Sequence, residues 1–403
     1  MQINSNYIKF FFYTVIYKFG DTINFFTYLW LAYTVTDSAA LTGIVAAFNG
    51  LPSLVFGLFA GEIADKYDKK KLLIISDITR GIIIIGLIIL YLLQSINFLI
   101  LLISTFIIST MEILSTPARR ALPAFLLEKN QILRGNSYLS TGKIIAQLAG
   151  MSIAGFVIST FGVHISLIID SLIFILCTLI IMTMQFESNF AIYKKAKLSV
   201  KNILVSFLGT FKEIRQSIII LKTIIAATFV NLFIGPIGLL TLNYCSNILK
   251  NGSKGQAILN IAILIGTLIV TVLFAKLKSL DNYWAIIRIG FYLLGISFLL
   301  FGFNSLMLIA IFIALIYGIG ISLITNPSIS IIHTNTSKEN MGKMMSIISL
   351  VNESSIPIGT FVAGVYLEKY SVTSYFIIAG IFIILFMALF EYSTKFLFKG
   401  EKL

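Results

Sequence analysis

Long apolar runs separated by short polar ones recur along the whole chain, and the first, roughly residues 8 to 35, is broken near its middle by Asp21. A membrane-spanning helix needs about 20 mostly apolar residues. Twelve segments approach that length: 8 to 35, 42 to 64, 72 to 93, 97 to 116, 138 to 160, 164 to 186, 218 to 245, 257 to 276, 283 to 303, 305 to 327, 343 to 366 and 372 to 394. The pattern predicts an all-α integral membrane protein with twelve transmembrane helices. Residues 187 to 215 form the longest polar stretch, rich in Lys and poor in acids, with six spans on each side. The expected organisation is an N-terminal six-helix bundle over 1–186, a cytoplasmic linker over 187–217 and a C-terminal six-helix bundle over 218–403. An offset of about 210 residues relates the halves, aligning Phe19, Gly20 and Asp21 with Phe229, Val230 and Asn231, and Pro117 with Pro327. The two bundles are therefore expected to be pseudo-symmetric repeats.

Composition makes the bilayer the solvent. With 58% hydrophobic residues, 12% charged residues and a mean hydropathy of +0.97 over 403 residues, a soluble fold would expose far too much apolar surface. Cytoplasmic loops retain Lys and Arg, whereas short translocated loops are depleted of them. With the N-terminus inside, the inward loops and C-terminal tail hold 21 of the 30 basic residues, including Lys66, Lys69, Lys70, Lys71, Arg119 and Arg120; the outward loops hold Lys250, Lys254 and Lys369. Both termini are thus expected on the cytoplasmic side of a bacterial cell membrane. The net charge of +13 is explained by this topology and by attraction to anionic lipid, so nucleic acid is not an expected partner. The first apolar stretch is too long for a cleavable signal peptide. Cys177 and Cys245 fall within predicted helices, where packing is the expected role.

Charge inside the spans carries the chemistry. An acid near a bilayer midplane costs at least about 2.5 kcal/mol unless it faces protein or water. Asp21 is therefore the leading functional residue. Lys18 lies one turn away, so the two can form an ion pair that a proton or a cationic solute would have to displace. Tyr17, Asp21, Asn24 and Tyr28 share one face of span one, and Thr105, Ser109, Glu112 and Thr116 share one face of span four. Glu353 sits in the middle of span eleven as the C-terminal protonatable counterpart. Asn231 lies in span seven ahead of Gly235-Pro236, a pair that can bend the helix. Arg80 and Asp170 lie nearer span ends, where packing or loop anchoring is at least as natural. Lys143, near the inner end of span five, is placed to snorkel.

The loop after span two reads Gly61-Glu62-Ile63-Ala64-Asp65-Lys66-Tyr67-Asp68-Lys69-Lys70-Lys71. It resembles the signature loop of the major facilitator superfamily, usually written G-x-x-x-D-R-x-G-R-K, with Lys66 and Lys69 in place of arginines and Asp68 in place of the second glycine. Gly20-Asp21, Asp77-x-x-Arg80, Pro117-Ala118-Arg119-Arg120-Ala121-Leu122-Pro123 and Asp170-Ser171-x-x-Phe174 are similar to the macrolide-efflux and enterobactin-exporter branch. The resemblance implies the major facilitator fold and alternating access, with spans one, four, seven and ten around a central path. It also implies a cytoplasmic latch formed by Gly61, Asp65, Lys66, Lys69 and Lys70 with Glu112 and Arg80. A path of Tyr, Phe, Asn and one or two acids suits an amphipathic or cationic solute better than a bare anion.

These features point to a monomeric secondary transporter exporting a small drug-like or metallophore molecule, with protons as the coupling ion and lipid as the surroundings. The alternatives are a proton-coupled nutrient importer and a lipid-modifying or lipid-translocating membrane protein. The sequence contains no P-loop, and His164 and His333 are expected near opposite membrane faces. An enzyme, a cofactor and a metal site are therefore not expected.

Overall fold

The computed structural model describes residues 5–127, 132–185, 214, 217–276, 282–336 and 341–397; the side chains of Gly61, Asp65, Lys66, His333 and Glu353 lie outside the described set. The expected linker falls outside it as well, apart from Ile214 and Ser217. The chain divides into two compact units, Met1–Ile203 and Leu204–Leu403. Every regular element among the described residues is a helix, as backbone groups deprived of water require.

The first unit contains α1 (Ser5–Thr36), α2 (Ala39–Lys66), α3 (Lys69–Leu92), α4 (Phe98–Leu126), α5 (Ile132–Phe161) and α6 (Val163–Met182). In the second, α7 (Ile218–Ile234) stops at Gly235 and resumes after Pro236 as α8 (Ile237–Asn243), which passes into a wider π turn at Tyr244–Ile248. The proline lacks a backbone N–H and its ring crowds the preceding turn, which gives the break a local cause. Then follow α9 (Gly252–Lys276), α10 (Tyr283–Phe303), α11 (Met307–Asn335), α12 (Met341–Lys369) and α13 (Val372–Leu397).

Ten of these segments are long and apolar enough to cross a membrane, counting α7 with its continuation as one. α1 and α12 are not among the ten. α1 is long enough, but Lys9, Lys18, Asp21 and Asn24 lower its hydropathy.

The same pairing recurs in both units. In the first, α2 packs on α4, α3 on α4 and α6, and α1 on α5; in the second, α9 packs on α11, α10 on α11 and α13, and α7 on α12. Thus second meets fourth, third meets fourth and sixth, and first meets fifth in each. Pro117 and Pro327 sit inside the corresponding helices α4 and α11.

Local chemistry explains several boundaries. Ser38, Asp68, Asn97 and Asn282 each accept a bond from the backbone N–H three residues on, at 3.0 to 3.2 Å, capping α2, α3, α4 and α10. Asp68, the residue that departs from the signature loop, therefore starts α3. Gly162 alone joins α5 to α6 with φ of 87°, a conformation that favours a residue without Cβ.

The interior differs between the units. The second is aromatic: Tyr244, Phe298, Phe301 and Phe376 are buried, with Phe301 and Phe376 stacked at 5.2 Å and Phe229 on Phe386 at 3.6 Å. Its helices also approach closely. A Cβ on Gly266 of α9 would strike the carbonyl of Leu315, and one on Gly318 of α11 would strike that of Ile263, so the crossing is built on small residues from both sides.

Backbone cannot yield as a side-chain tip can. Gly318→Ala should therefore destabilise the purified protein by about 1–3 kcal/mol, read as a lower Tm in detergent. Gly86→Ala, where an added methyl meets nothing within 4 Å, should leave Tm unchanged or slightly raised. Equal Tm values for the two variants would count against the close crossing.

Candidate functional site

A cavity of about 380 Å³ opens within the first unit among α1, α4 and α5. Helical spacing builds its walls. α1 contributes Phe10, Thr14, Tyr17, Lys18 and Asp21, and α4 contributes Glu112, Thr116, Arg119, Arg120 and Pro123. Both sets follow the increments four, seven, eight and eleven that place residues on one helix face. α5 closes the third side with Leu139, Ser140 and Lys143. The cavity thus sits where α1 begins, α4 ends and α5 begins.

Asp21 is the hub of the charges. One carboxylate oxygen accepts from Lys18 Nζ at 3.0 Å and the other from Arg80 Nη2 at 3.1 Å. Arg80 comes from the middle of α3 and is only 1% exposed. Its other terminal nitrogen donates to the Tyr17 hydroxyl, and its guanidinium lies 4.3 Å from the centre of the Phe174 ring on α6. Such a cation is strongly hydrated in water and survives burial only with paired charge and aromatic faces around it. Arg119 covers the Tyr17 ring at 3.4 Å while donating to Ser115 Oγ at 3.1 Å. Tyr17 is therefore held between two guanidinium groups.

Further acids lie behind this wall. Asp77 of α3 is fully buried and accepts from the Tyr13 hydroxyl at 3.0 Å; Asp170 of α6 is fully buried and accepts from Asn24 Nδ2 at 2.5 Å. In each, the second carboxylate oxygen has no hydrogen-bond partner among the described residues. One turn along α1, Thr27 meets Ser166 of α6 at 2.6 Å.

The stripe expected on span one therefore divides. Tyr17 and Asp21 face the cavity, Asn24 engages α6, and Tyr28 is buried. On α4, Glu112 and Thr116 face the cavity whereas Thr105 and Ser109 are buried. Lys69 donates to the carbonyl of Ala64 at 3.1 Å, and Lys70 donates to those of Met182 and Met184 at 2.9 and 2.6 Å, capping the end of α6. Gly61, Asp65 and Lys66 belong to α2, with side chains outside the described set, as is that of Glu353 on α12. Asn231 lies on α7 and accepts through its carbonyl from the N–H of Gly235. No cluster of three or more metal-binding side chains occurs among the described residues.

Arg119 and Arg120 are expected in the loop after span four, because the apolar run is read as ending at residue 116. α4 instead continues through Pro117 and Pro123 to Leu126. Prolines are tolerated within membrane helices, where surrounding groups re-satisfy the freed carbonyls. The i, i+4, i+7, i+8 progression from Glu112 to Arg120 was the available signal.

Removing one partner of a buried ion pair leaves the other uncompensated, at a cost of about 3–5 kcal/mol. Asp21→Asn should lower the Tm of the purified protein strongly. Adding Arg80→Gln to it should recover part of the loss, and Lys18→Gln alone should cost far less because Lys18 is a third exposed. Additive effects of Asp21→Asn and Arg80→Gln in the double variant would remove the pair from the account.

Comparison with known proteins agrees with the two-unit helical fold. The family model described as Major Facilitator Superfamily matches residues 10–360. A staphyloferrin A transporter of Staphylococcus aureus is 23% identical, covering 91% of this chain and 90% of the relative. Macrolide efflux protein A of Streptococcus pyogenes is 21% identical over 87% and 86%, and an uncharacterized MFS-type transporter of Bacillus subtilis, YvqJ, is 21% identical over 90% and 85%. Among solved structures, the nucleoside transporter NupG superposes with a TM-score of 0.79 at 13% identity, covering 96% of this chain and 99% of that one. A POT family transporter in complex with 5-aminolevulinic acid gives 0.73 at 16% identity, covering 96% of each. The chain belongs to the Major Facilitator Superfamily and is a multi-pass membrane transporter, not an enzyme.

Proposed function

We propose that the protein exports a small amphipathic molecule from the bacterial cytoplasm by alternating access, driven by proton antiport. The observation that carries this reading is Asp21, a mid-helix carboxylate on a cavity wall that is balanced by Lys18 and Arg80 at once. A proton arriving at Asp21 removes both ion pairs together. Arg80 and Lys18 are then free to take other partners, and the link between α1 and α3 loosens. Loading and release of one proton thus switches the cavity wall between two charge states, which is the element an exchange cycle requires.

The direction rests on the relative named for macrolide efflux, and the kind of solute on that relative and the one named for staphyloferrin A. The orientation rests on the positive loops, which favour cytoplasmic termini; in this reading the protein works as a monomer in the cell membrane, surrounded by lipid. In this reading Glu353 is a second protonatable group and Asn231 a polar contact in the C-terminal half. The segment from Gly61 to Lys71, with Glu112 and Arg80, serves as the cytoplasmic latch.

The solute is identified first, by comparing the spent media of a deletion strain and its parent by untargeted mass spectrometry. Everted vesicles carrying wild-type protein should then accumulate that solute when their lumen is acidified. Asp21→Asn, matched for protein amount in the membrane, should lose this proton-driven accumulation. Wild-type rates in that variant, or accumulation that follows a gradient of the opposite sign, would defeat the antiport reading.

A further inference from the structure

Cations outnumber acids on the cavity wall. Lys18, Arg119, Arg120 and Lys143 line it against Asp21 and Glu112, a surplus of two positive charges. Asp21 is already engaged by Lys18 and by Arg80. Arg119 is fixed over the Tyr17 ring and on Ser115, with its Nε lacking a hydrogen-bond partner among the described residues. Arg120 and Lys143, from α4 and α5, close no salt bridge among the described residues. Behind the wall, Arg80 adds a cation and Asp77 and Asp170 add two acids, but neither of those acids lines the cavity.

The consequence concerns what the cavity takes. A cleft whose walls carry a net charge of one sign focuses potential and raises the local concentration of the opposite charge, and Arg120 and Lys143 are the exposed cations of this wall. A guanidinium fork also matches an oxyanion geometrically, and Lys adds a mobile point charge. The apolar part of the wall, Phe10, Pro123 and Leu139, suits an organic body.

We infer that the transported solute is a small organic anion whose carboxylate is received by Arg120 and Lys143, beside the fixed guanidinium of Arg119. This rests on the transport reading, and it keeps the amphipathic solute of the sequence expectation while replacing the cationic alternative with an anionic one. Binding needs no gradient, so it is tested apart from coupling.

The test uses purified full-length protein in phosphatidylcholine nanodiscs and two dyes that share a xanthene ring, anionic fluorescein and cationic rhodamine 6G, with binding read by fluorescence anisotropy. Fluorescein should bind more tightly than rhodamine 6G and weaken as salt is raised. Arg120→Gln and Lys143→Gln should each weaken it about tenfold or more, the scale of a lost charge-assisted contact. Lys143→Arg should retain binding, and Lys143→Glu should shift preference toward rhodamine 6G, with Tm confirming that each variant is folded. Tighter binding of rhodamine 6G by the wild type, unchanged fluorescein affinity in the Gln variants, or no fluorescein binding would overturn the inference. So would loss of fluorescein binding when phosphatidylglycerol is added, because lipid headgroups would then be the occupants. Intact fluorescein binding without proton-driven flux in vesicles would instead defeat the antiport reading and leave this inference standing.

Discussion

The first unit depends on one buried cation. Arg80 is removed from water on α3, and the groups that compensate it come from elsewhere: Asp21 and Tyr17 from α1, Phe174 from α6. A guanidinium in an apolar interior is tolerable only while its partners hold position, so the packing of α1 and α6 on α3 and the state of Asp21 are a single problem. Lys18 and Arg119 extend that problem to the cavity surface. The carboxylate of Asp21 is thus both a tie between α1 and α3 and part of the cavity wall.

The two units solve the same helix pairing with different interiors. The second relies on stacked Phe and Tyr rings and on helices that meet through glycine, with Arg288 and Glu391 as its described ion pair at 3.1 Å, largely toward the surface. The aromatic part of that interior is close-packed, and Lys222 on α7 is a buried cation of the same unit. In the first unit, rearrangement of charge is the available degree of freedom. Duplicated topology therefore need not mean duplicated chemistry, and Tyr317 of α11 is fully buried against Phe298 within the aromatic core of its own unit.

The helical architecture was legible because the bilayer imposes length and composition on every span. Local relations were legible too: Lys18 and Asp21 stand three residues apart, and helix geometry alone brings them together. The partner of Asp21 on another helix was not. Arg80 is 59 residues away, and periodicity reports only which residues share a face, not which faces meet. Asn24 with Asp170 is the same case across 146 residues. Arg119 and Arg120 lie beyond the apolar run that ends at residue 116 and so read as loop residues, whereas α4 carries the pair onto the cavity wall. The basic character of the cavity was hidden for that reason.

The polarity of α1 bears on how the chain enters the bilayer. It precedes the other described helices of this sequence and, with α12, is one of two described helices outside the strongly apolar set. Lys18 and Asp21 travel with it as a neutral pair, which lowers the cost of burying either alone. Arg80 emerges about sixty residues later, when α3 is made, and α6 later still. Until those helices arrive, α1 has only its own pair to shield it from lipid, so its final seat is a product of assembly and not of its own hydrophobicity. The carboxylate that pairs with Lys18 on its own helix and Arg80 on α3 therefore ties the seating of α1 to a residue made about sixty positions later.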